Sequence, residues 1–251
     1  MKIVAAGTFD AARLAALFEA GYAGYFVPIH VDEAALSFMV DAWDIDLGRS
    51  RVAVAEDDTP IGIALLGVRG DEGWIGGLGV VPEHRRGGVG RALMDVVLAN
   101  APPSVSLEVI ERNEPAIRLY ESLGFERTRI LEVWSLEQDV RPATARTVAP
   151  RPLGQSDLPW QRADRSLPAE YERIEVDGGA ALIRGAQKVS VLQLEAADQT
   201  GAEELLAAAR GRGDSLHYVN VPEGDPASAA LNALGGRLDL RQLELRKPVP
   251  G

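Results

Sequence analysis

The chain has 251 residues, of which 46% are hydrophobic, so it can bury a core in one large domain or in two domains of ordinary size. The formal net charge of −11 argues against nucleic acid or an anionic membrane as the main partner. It favours a cationic substrate, which the charge would attract over long range. The alternative is an ordinary soluble acidic protein, in which the charge has no part in substrate binding. The absence of cysteine and the presence of only three histidines exclude disulfides and lead us to expect no metal site.

The first quarter of the sequence combines helix and strand patterns. A short strand at 2–6 precedes two amphipathic helices, at 10–20 and 32–43, whose apolar residues recur every three or four positions. Strands at 51–56 and 61–68 are joined by a turn, which predicts an antiparallel hairpin. The N-terminal apolar stretch is broken by charges, so we expect no secretory signal and no membrane span, and a cytoplasmic protein.

The following segments indicate a parallel strand pair. They alternate as strand, helix, strand, helix and strand, at 74–81, 88–99, 105–110, 114–123 and 125–136. A strand–helix–strand crossover joins parallel strands, whereas the preceding hairpin is antiparallel. We therefore predict an α/β domain at 1–138 with a mixed, mostly antiparallel, twisted sheet flanked by helices.

A segment rich in glycine and arginine lies between the third strand and the helix at 88–99. The first N–H groups of a helix have no partner within it and lie at the positive end of its dipole, which suits a phosphate. Glycine lets an anion approach the backbone, and arginine adds charge-assisted hydrogen bonds. The predicted anion-binding residues are Arg85, Arg86, Gly87, Gly88, Val89, Gly90 and Arg91. The segment is neither a Walker loop nor G-x-G-x-x-G, and a glycine-rich turn with surface arginines is the alternative.

A second motif makes the interpretation specific. Arg85-x-x-Gly88-x-Gly90 resembles the acetyl-CoA signature of the GCN5-related N-acetyltransferase (GNAT) superfamily, and Asn113 to Phe125 resembles its N-x-x-A-x-x-L-Y-x-x-x-G-F element. One strand–helix unit separates the two motifs, as it does in that superfamily. The resemblance, which extends over the first domain, implies that the strand at 74–81 splays away from its parallel neighbour and that acetyl-CoA lies in the gap.

The resemblance implies roles for individual residues. The main chain of Val80 and Val81 would bind the pantetheine arm, and the loop at 85–91 would bind the pyrophosphate. Asn113 is either a coenzyme contact or the N-cap of the helix that follows it. Tyr120 corresponds to the general acid that protonates the coenzyme sulfur; its alternative is a place in the apolar stripe of its helix.

Glu108 is the candidate general base. It lies in a strand predicted to be covered on both faces, where a carboxylate is uncommon unless it is paired or functional. Burial would raise its pKa toward that of a useful base. Its position also resembles that of the base in bacterial ribosomal-protein N-terminal acetyltransferases. An ion pair with an arginine, or exposure at the splayed edge, is an alternative of equal weight.

An aromatic segment supplies candidate substrate contacts. In the superfamily, the region that corresponds to residues 22–43 forms the acceptor wall, so the resemblance implies contacts by Tyr25, Phe26, His30 and Trp43. Trp74, from the third strand, is expected to face the same cleft. Packing in the core is the alternative for these side chains.

The second half of the chain is predicted to be a smaller copy of the first. Residues 139–152 contain several prolines and no apolar period, which predicts a linker before a domain at 153–251. Within that domain, residues 224–235 align without a gap on 113–124, an offset of 111 residues (224 − 113). Chance similarity in a chain rich in alanine, leucine and glycine is the alternative.

The chemistry of the first half is missing from this copy. Leu231 aligns with the tyrosine and Gly224 with the asparagine of the GNAT motif, and acidic residues replace the arginines of the phosphate loop. Acidic groups at that place would repel a pyrophosphate. We therefore predict a degenerate, truncated α/β domain that does not bind CoA in the usual way.

Together these features predict an acetyl-CoA-dependent N-acetyltransferase. A primary amine would attack the thioester directly in a ternary complex, because no cysteine is available to carry the acyl group. We expect a small-molecule amine or a peptide N-terminus as acceptor, no nucleic-acid or membrane partner, no metal, and a monomer or homodimer. The alternatives are a non-catalytic CoA- or acyl-CoA-sensing module that acts through its C-terminal domain, and an unrelated nucleotide-binding enzyme.

Overall fold

The computed structural model describes residues 1–247, which form two compact units. Unit 1 comprises residues 1–109 and 113–127 and the chain from Leu245 onward, and unit 2 comprises 110–112 and 128–244. The predicted first domain, 1–138, differs from unit 1, because most of the strand that ends at Leu136 pairs with a later strand of unit 2.

Unit 1 has a five-stranded mixed sheet with helices packed on it. Its strands are β1 (Lys2–Ala5), β2 (Arg51–Val54), β3 (Pro60–Arg69), β4 (Glu72–Val80) and β5 (Ser104–Ile110, the last residue being part of unit 2). Its helices are α1 (Ala11–Gly21), α2 (Glu33–Ala42), α3 (Val89–Leu98) and α4 (Glu114–Ser122). The order is β1-β2-β3-β4-β5, and every neighbouring pair is antiparallel except β4 and β5.

Local sequence explains where these helices begin and which face they bury. The carboxylates of Asp10 and Asp32 cap α1 and α2 by accepting hydrogen bonds from main-chain N–H groups of the first turn. The apolar stripe of α3 is fully buried, with Leu93, Met94 and Val97 at 0% exposure. The predicted helices and strands of the first half are all present, with bounds shifted by a few residues.

The predicted splay between the parallel strands is present. β4 and β5 pair over only four residues and separate after Ile75 and Leu107. Gly76 follows as the extra residue of a β-bulge, since the register between β3 and β4 skips it. The bulge re-aims the rest of β4, so among residues 1–247 one edge of that strand has no strand partner beyond this point.

Unit 2 shares part of its order of elements with unit 1. Its strands are β6 (Glu126–Leu136, from Thr128 onward), β7 (Arg146–Val148), β8 (Glu172–Val176), β9 (Gly179–Arg184), β10 (Lys188–Ala196), β11 (Ser215–Pro222) and β12 (Arg237–Lys247, up to Glu244). Its helices are α5 (Gln199–Arg210) and α6 (Pro226–Ala233). The strand order is β12-β6-β11-β10-β9-β8-β7, with β10 and β11 parallel. The predicted fold class is confirmed: a mixed, mostly antiparallel α/β fold with a splayed parallel pair, followed by a smaller version.

Unit 2 differs from the sequence-based prediction at three places. The predicted linker at 139–152 contains β7, which pairs with the edge of β8 and is too short to have an apolar period. The sequence predicts a helix at 202–210, and α5 begins three residues earlier, at Gln199, because Asp198 caps it. The prediction missed β12, in which the apolar alternation changes phase between Leu240 and Leu243. No helix in the described part of the chain is long and apolar enough to cross a bilayer.

Candidate active site

A cavity of about 490 Å³ lies in unit 1. It is enclosed by the end of α1, the end of β4, the loop before α3 and the first turns of α3 and α4. The predicted site residues that line it are Val80, Arg85, Arg86, Gly88, Val89, Gly90, Arg91, Asn113, Tyr25 and Phe26. Seven others lie outside its lining: Val81, Gly87, His30, Trp43, Trp74, Glu108 and Tyr120.

The first turn of α3 has a glycine N-cap and lacks a side-chain cap among residues 1–247. Gly88 is the N-cap, with φ of 80°, and no side chain caps the first turn of the helix. A side chain at Gly88 would meet no atom within 4 Å, so glycine is needed there for its backbone conformation. Arg86, two residues earlier, also has a positive φ, of 63°. The N–H groups at this helix end therefore have no side-chain acceptor among residues 1–247, and such groups suit an anion.

The guanidinium of Arg85 donates hydrogen bonds to main-chain carbonyls. Its Nε donates to the carbonyl of Val80 at 2.8 Å, and one terminal nitrogen donates to the carbonyls of Gly21 and Ala23 at 3.1 and 2.7 Å. Because these donors are engaged with the main chain, the guanidinium ties the end of β4 to the end of α1. Arg85 also lines the cavity, so its predicted contact with a phosphate stays a prediction.

The other two loop arginines also differ from each other. Arg91 donates to the hydroxyl of Ser122 at 2.7 Å and lies 3.8 Å from Asp95. Arg86 is exposed, and among residues 1–247 its side chain has no hydrogen-bond or ion-pair partner. Arg86 is therefore the loop arginine whose guanidinium can turn to a phosphate without breaking an existing contact.

We call the edge of β4 that faces away from β3 its free edge. It carries the main-chain groups of Leu78 and Val80. Val81 was predicted to bind the ligand through its main chain, but its N–H donates to Ile61 on β3 at 3.0 Å and its carbonyl accepts from His84 at 3.0 Å. Main-chain groups alternate between the two sides of a strand, so Leu78 and Val80 face away from β3, toward the gap. The sequence analysis missed Leu78, which the strand's alternation from Val80 could have identified.

Tyr120 lies in α4 with only 6% of its surface exposed, and its ring is 5.9 Å from that of Phe125. Burial raises the pKa of the Tyr120 hydroxyl, and the nearby Tyr22 and Tyr25 raise it further. The hydroxyl is therefore protonated at neutral pH. Among residues 1–247 the hydroxyl has no hydrogen-bond partner.

Glu108 is half-buried and follows directly on Leu107, the last residue of β5 that pairs with β4. Its Oε2 accepts a hydrogen bond of 2.6 Å from the indole N–H of Trp74. A side chain at Gly76 would come within 2.5 Å of the Trp74 ring, so the glycine of the bulge makes room for this indole. The tryptophan fixes the carboxylate at the point where the two strands separate.

The predicted substrate aromatics fall into two groups. Tyr25 and Phe26 line the cavity, and Phe26 is 45% exposed. Trp43 instead packs edge-on against Trp74 with centroids 5.6 Å apart, and Trp74 is 2% exposed. Trp74 is therefore a buried support for Glu108 rather than an exposed substrate contact.

Two predicted polar residues make local contacts. His30 has an exposed side chain, and its Nδ1 lies 2.9 Å from a carboxylate oxygen of Glu19. Asn113 caps α4, since its side-chain oxygen accepts from the N–H of Ala116 at 3.4 Å. The cap interpretation of Asn113 is confirmed, and the same residue lines the cavity.

The comparison with known proteins agrees with this geometry. Residues 15–125, which include the cavity lining, match the model of the acetyltransferase (GNAT) family. This part of the chain belongs to the GNAT family. Acetyl-CoA is the co-substrate of that family.

Two curated relatives are similar to part of the chain. A mycothiol acetyltransferase from Clavibacter sepedonicus is 40% identical over 120 residues, which are 47% of this chain and 36% of that protein. The peptidyl-lysine N-acetyltransferase YjaB from Escherichia coli (strain K12) is 38% identical over 82 residues, which are 33% of this chain and 52% of that protein. The alignments therefore span about half, or less, of the length of these relatives.

Solved structures share the fold over the whole chain. A GCN5-related N-acetyltransferase from Sphaerobacter thermophilus has a TM-score of 0.69 at 19% identity, covering 100% of this chain and 96% of that one. A tandem GNAT protein from the clavulanic acid biosynthesis pathway has a TM-score of 0.65 at 14% identity, covering 100% and 99%. At these identities the likeness concerns the GNAT fold alone.

Proposed function

We propose that the protein is an N-acetyltransferase that transfers the acetyl group of acetyl-CoA to a primary amine in a ternary complex. The observation that supports this most is the cavity of unit 1, which joins an uncapped helix N-terminus to the free edge of β4. The first suits a pyrophosphate, and the second suits the amide groups of pantetheine. Residues 80 and 85–91 carry the cofactor site in this proposal, with Leu78 in place of Val81.

The catalytic roles follow from the protonation states that the reaction needs. A lysine-like amine with a pKa of about 10.4 is almost entirely protonated at neutral pH, so a base must take its proton before or during attack. We assign that role to Glu108, directly or through a water. The C–S bond breaks when the tetrahedral intermediate collapses, and the departing thiolate then takes the proton that Tyr120 holds.

The acceptor in this proposal is a small-molecule amine or the amine of a peptide. Both curated relatives carry names of amine acetyltransferases, one for a small molecule and one for peptidyl lysine. Tyr25 and Phe26 line the cavity, and they are the acceptor contacts that we retain from the sequence prediction. The formal net charge of −11 adds long-range attraction for a cationic acceptor.

We also propose that the second half of the chain, residues 153–251, is a degenerate GNAT-like domain without a cofactor. In support, β8-β9-β10-α5-β11-α6 of unit 2 repeats the order β2-β3-β4-α3-β5-α4 of unit 1. The pairs β10–β11 and β4–β5 are both parallel and both four residues long. The protein would then bind one acetyl-CoA per chain.

The test combines a binding experiment with a turnover experiment. Calorimetry with CoA, ATP and NAD should give tight binding of CoA alone, at one molecule per chain. A screen of small amines and peptides with acetyl-CoA should then release free CoA with at least one acceptor. Tighter binding of ATP or NAD would contradict the cofactor assignment, and CoA binding without turnover on any amine would favour a CoA-sensing module instead.

A further inference from the structure

Tyr22 makes a contact at the free edge of β4 that the roles assigned so far do not explain. Its hydroxyl oxygen accepts a hydrogen bond of 3.2 Å from the N–H of Leu78. Leu78 lies three residues beyond Ile75, the last residue of β4 that pairs with β5. The Tyr22 hydroxyl therefore accepts the hydrogen bond of a main-chain N–H group at the place where the thioester end of the cofactor is expected.

Strand β4 is shaped to receive this tyrosine. A side chain at Gly77 would come within 2.5 Å of the Phe18 ring and 3.2 Å of the Tyr22 hydroxyl. A side chain at Gly79 would come within 3.2 Å of the backbone of Gly21, the last residue of α1. The two glycines let the end of α1 lie directly on the strand, which brings the Tyr22 hydroxyl to the main chain.

Two further contacts fix the ring of Tyr22. It stacks on Phe18 with centroids 4.7 Å apart and meets Tyr25 edge-on at 5.0 Å. Arg85 holds the carbonyls of Gly21 and Ala23, on either side of Tyr22, against the end of β4. The hydroxyl is therefore preorganised, which is what a group that stabilises a transition state needs.

The Tyr22 hydroxyl can also donate. A phenol has one proton besides its acceptor lone pairs, and among residues 1–247 no group accepts the proton of Tyr22. Burial is the main cause that raises the pKa of Tyr22, and the nearby Tyr25 raises it further. The hydrogen bond from the Leu78 N–H opposes the rise. The net effect keeps the hydroxyl protonated at neutral pH.

We propose that Tyr22 is a second hydrogen-bond donor to the thioester oxygen, beside the N–H of Leu78. When the amine attacks, a C–N bond forms and the C=O π electrons move to the oxygen, which becomes negative. Both donors stabilise this charge; the oxygen then re-forms the C=O bond, and the C–S bond breaks. The two donor atoms are 3.2 Å apart, so one oxygen can lie within about 2.9 Å of both.

The experiment compares Tyr22→Phe with the wild-type chain and rests on the proposed function. With an acceptor found in the amine screen, kcat should fall on the order of 100-fold, the loss typical for one donor to an oxyanion. The dissociation constant of S-ethyl-CoA should not change, because S-ethyl-CoA lacks the thioester oxygen. Tyr171→Phe, which removes a hydroxyl from unit 2, is the matched control and should keep the wild-type kcat.

Two results would overturn the assignment of Tyr22. One is an unchanged or higher kcat in Tyr22→Phe, which would mean that the hydroxyl does not stabilise the transition state. The other is a loss of S-ethyl-CoA affinity and of melting temperature in proportion to the loss of kcat, which would make Tyr22 structural. Failure of the proposed function is distinct from both, because the wild-type chain itself would then show no turnover.

Discussion

The two parallel strand pairs of the molecule begin alike and end differently. In unit 1, β4 and β5 separate after four paired residues, with a bulge at Gly76. In unit 2, β10 and β11 also separate after four, and the register between β9 and β10 skips Leu192. The first gap opens into a cavity of about 490 Å³, whereas the chain itself fills the second.

The segment that fills the gap in unit 2 is Leu153 to Ser166. Arg162, which is 2% exposed, donates to the carbonyl of Asn220 at 2.8 Å and to the hydroxyl of Tyr218, both on β11. On β10, the fully buried Gln193 donates to the carbonyl of Arg162 at 2.8 Å. The segment thus makes polar contacts with both β10 and β11. Under the proposed function, a ligand makes the corresponding contacts between β4 and β5 in unit 1.

The helix after the first strand of each pair shows the same difference. The N-cap of α3 is Gly88, and no side chain caps that turn. The N-cap of α5 is Asp198, whose carboxylate accepts from the N–H of Gly201 at 3.0 Å. A carboxylate at this place satisfies the donors that would otherwise hold a phosphate. Under the proposed function, the helix end and the strand gap of unit 1 hold the cofactor, whereas in unit 2 a cap and one short segment contact the corresponding groups.

Removal of the Tyr120 hydroxyl should have the largest effect. In Tyr120→Phe, kcat should fall on the order of 100- to 1,000-fold, because a general acid is lost. The affinity for CoA should not change, since the ring stays in place. Tyr218→Phe removes a buried hydroxyl from unit 2 and should leave kcat as it is. Equal kcat values for the wild type and Tyr120→Phe would remove Tyr120 from the mechanism.

A charge at the helix ends should separate the two units. Gly90 and Thr200 are the second residues of α3 and α5, and a side chain at Gly90 would meet its nearest atoms at 3.8 Å, an ordinary contact. In Gly90→Glu the dissociation constant of CoA, measured by calorimetry, should rise on the order of 100-fold, since the carboxylate repels the pyrophosphate. Thr200→Glu should have no effect; equal losses in the two variants would mean that CoA also binds at α5.

Removal of the arginine that fills the gap in unit 2 should affect stability instead of binding. Arg162→Ala should lower the free energy of unfolding by about 3 kcal/mol, because buried acceptors lose a charged donor. Hydrogen exchange should place the loss at β10 and β11. The exposed Arg86→Ala in unit 1 should change stability by less than about 0.5 kcal/mol and weaken CoA binding about tenfold. Weaker CoA binding in Arg162→Ala together with a large loss of stability in Arg86→Ala would contradict the difference between the two units.

The smallest effect should appear at high pH. Burial raises the pKa of Tyr218 from 10.0 to about 12, although Arg162 opposes the rise. A raised pKa stabilises the folded state below pH 10, and this contribution is lost as the pH rises from 10 to about 12. Thermal unfolding of Tyr218→Phe across that window should therefore show a shallower loss of stability than the wild type. An identical pH dependence would mean that Tyr218 does not titrate in the folded protein.

The sequence predicted the elements of unit 1 because their periodic patterns are strong and local. The stripe that ends at Val97 and the paired motifs around Gly88 and Tyr120 are visible without a structure. The contact between Glu108 and Trp74 was not, because it depends on the bulge at Gly76, and an extra residue has no signature besides a glycine.

The parts that the sequence did not predict depend on tertiary contacts. Arg85 carries the expected charge, but its partners are carbonyls on another element, 62 and 64 residues away in sequence. The segment Leu153 to Ser166 has no period, so its place between two strands leaves no pattern to recognise. The main-chain donor of Leu78 is independent of side-chain identity and follows only from the register of β4.

The carboxylate cap of Asp198 has a consequence for the protein in a cell. A site that binds a ligand only in the folded state gains stability as the ligand concentration rises above its dissociation constant. Under the proposed function, unit 1 is therefore stabilised in proportion to the logarithm of the acetyl-CoA supply. Under the same proposal unit 2 binds no acetyl-CoA, because Asp198 and the segment at 153–166 already contact the corresponding groups, so unit 2 gains no direct stabilisation from the acetyl-CoA supply.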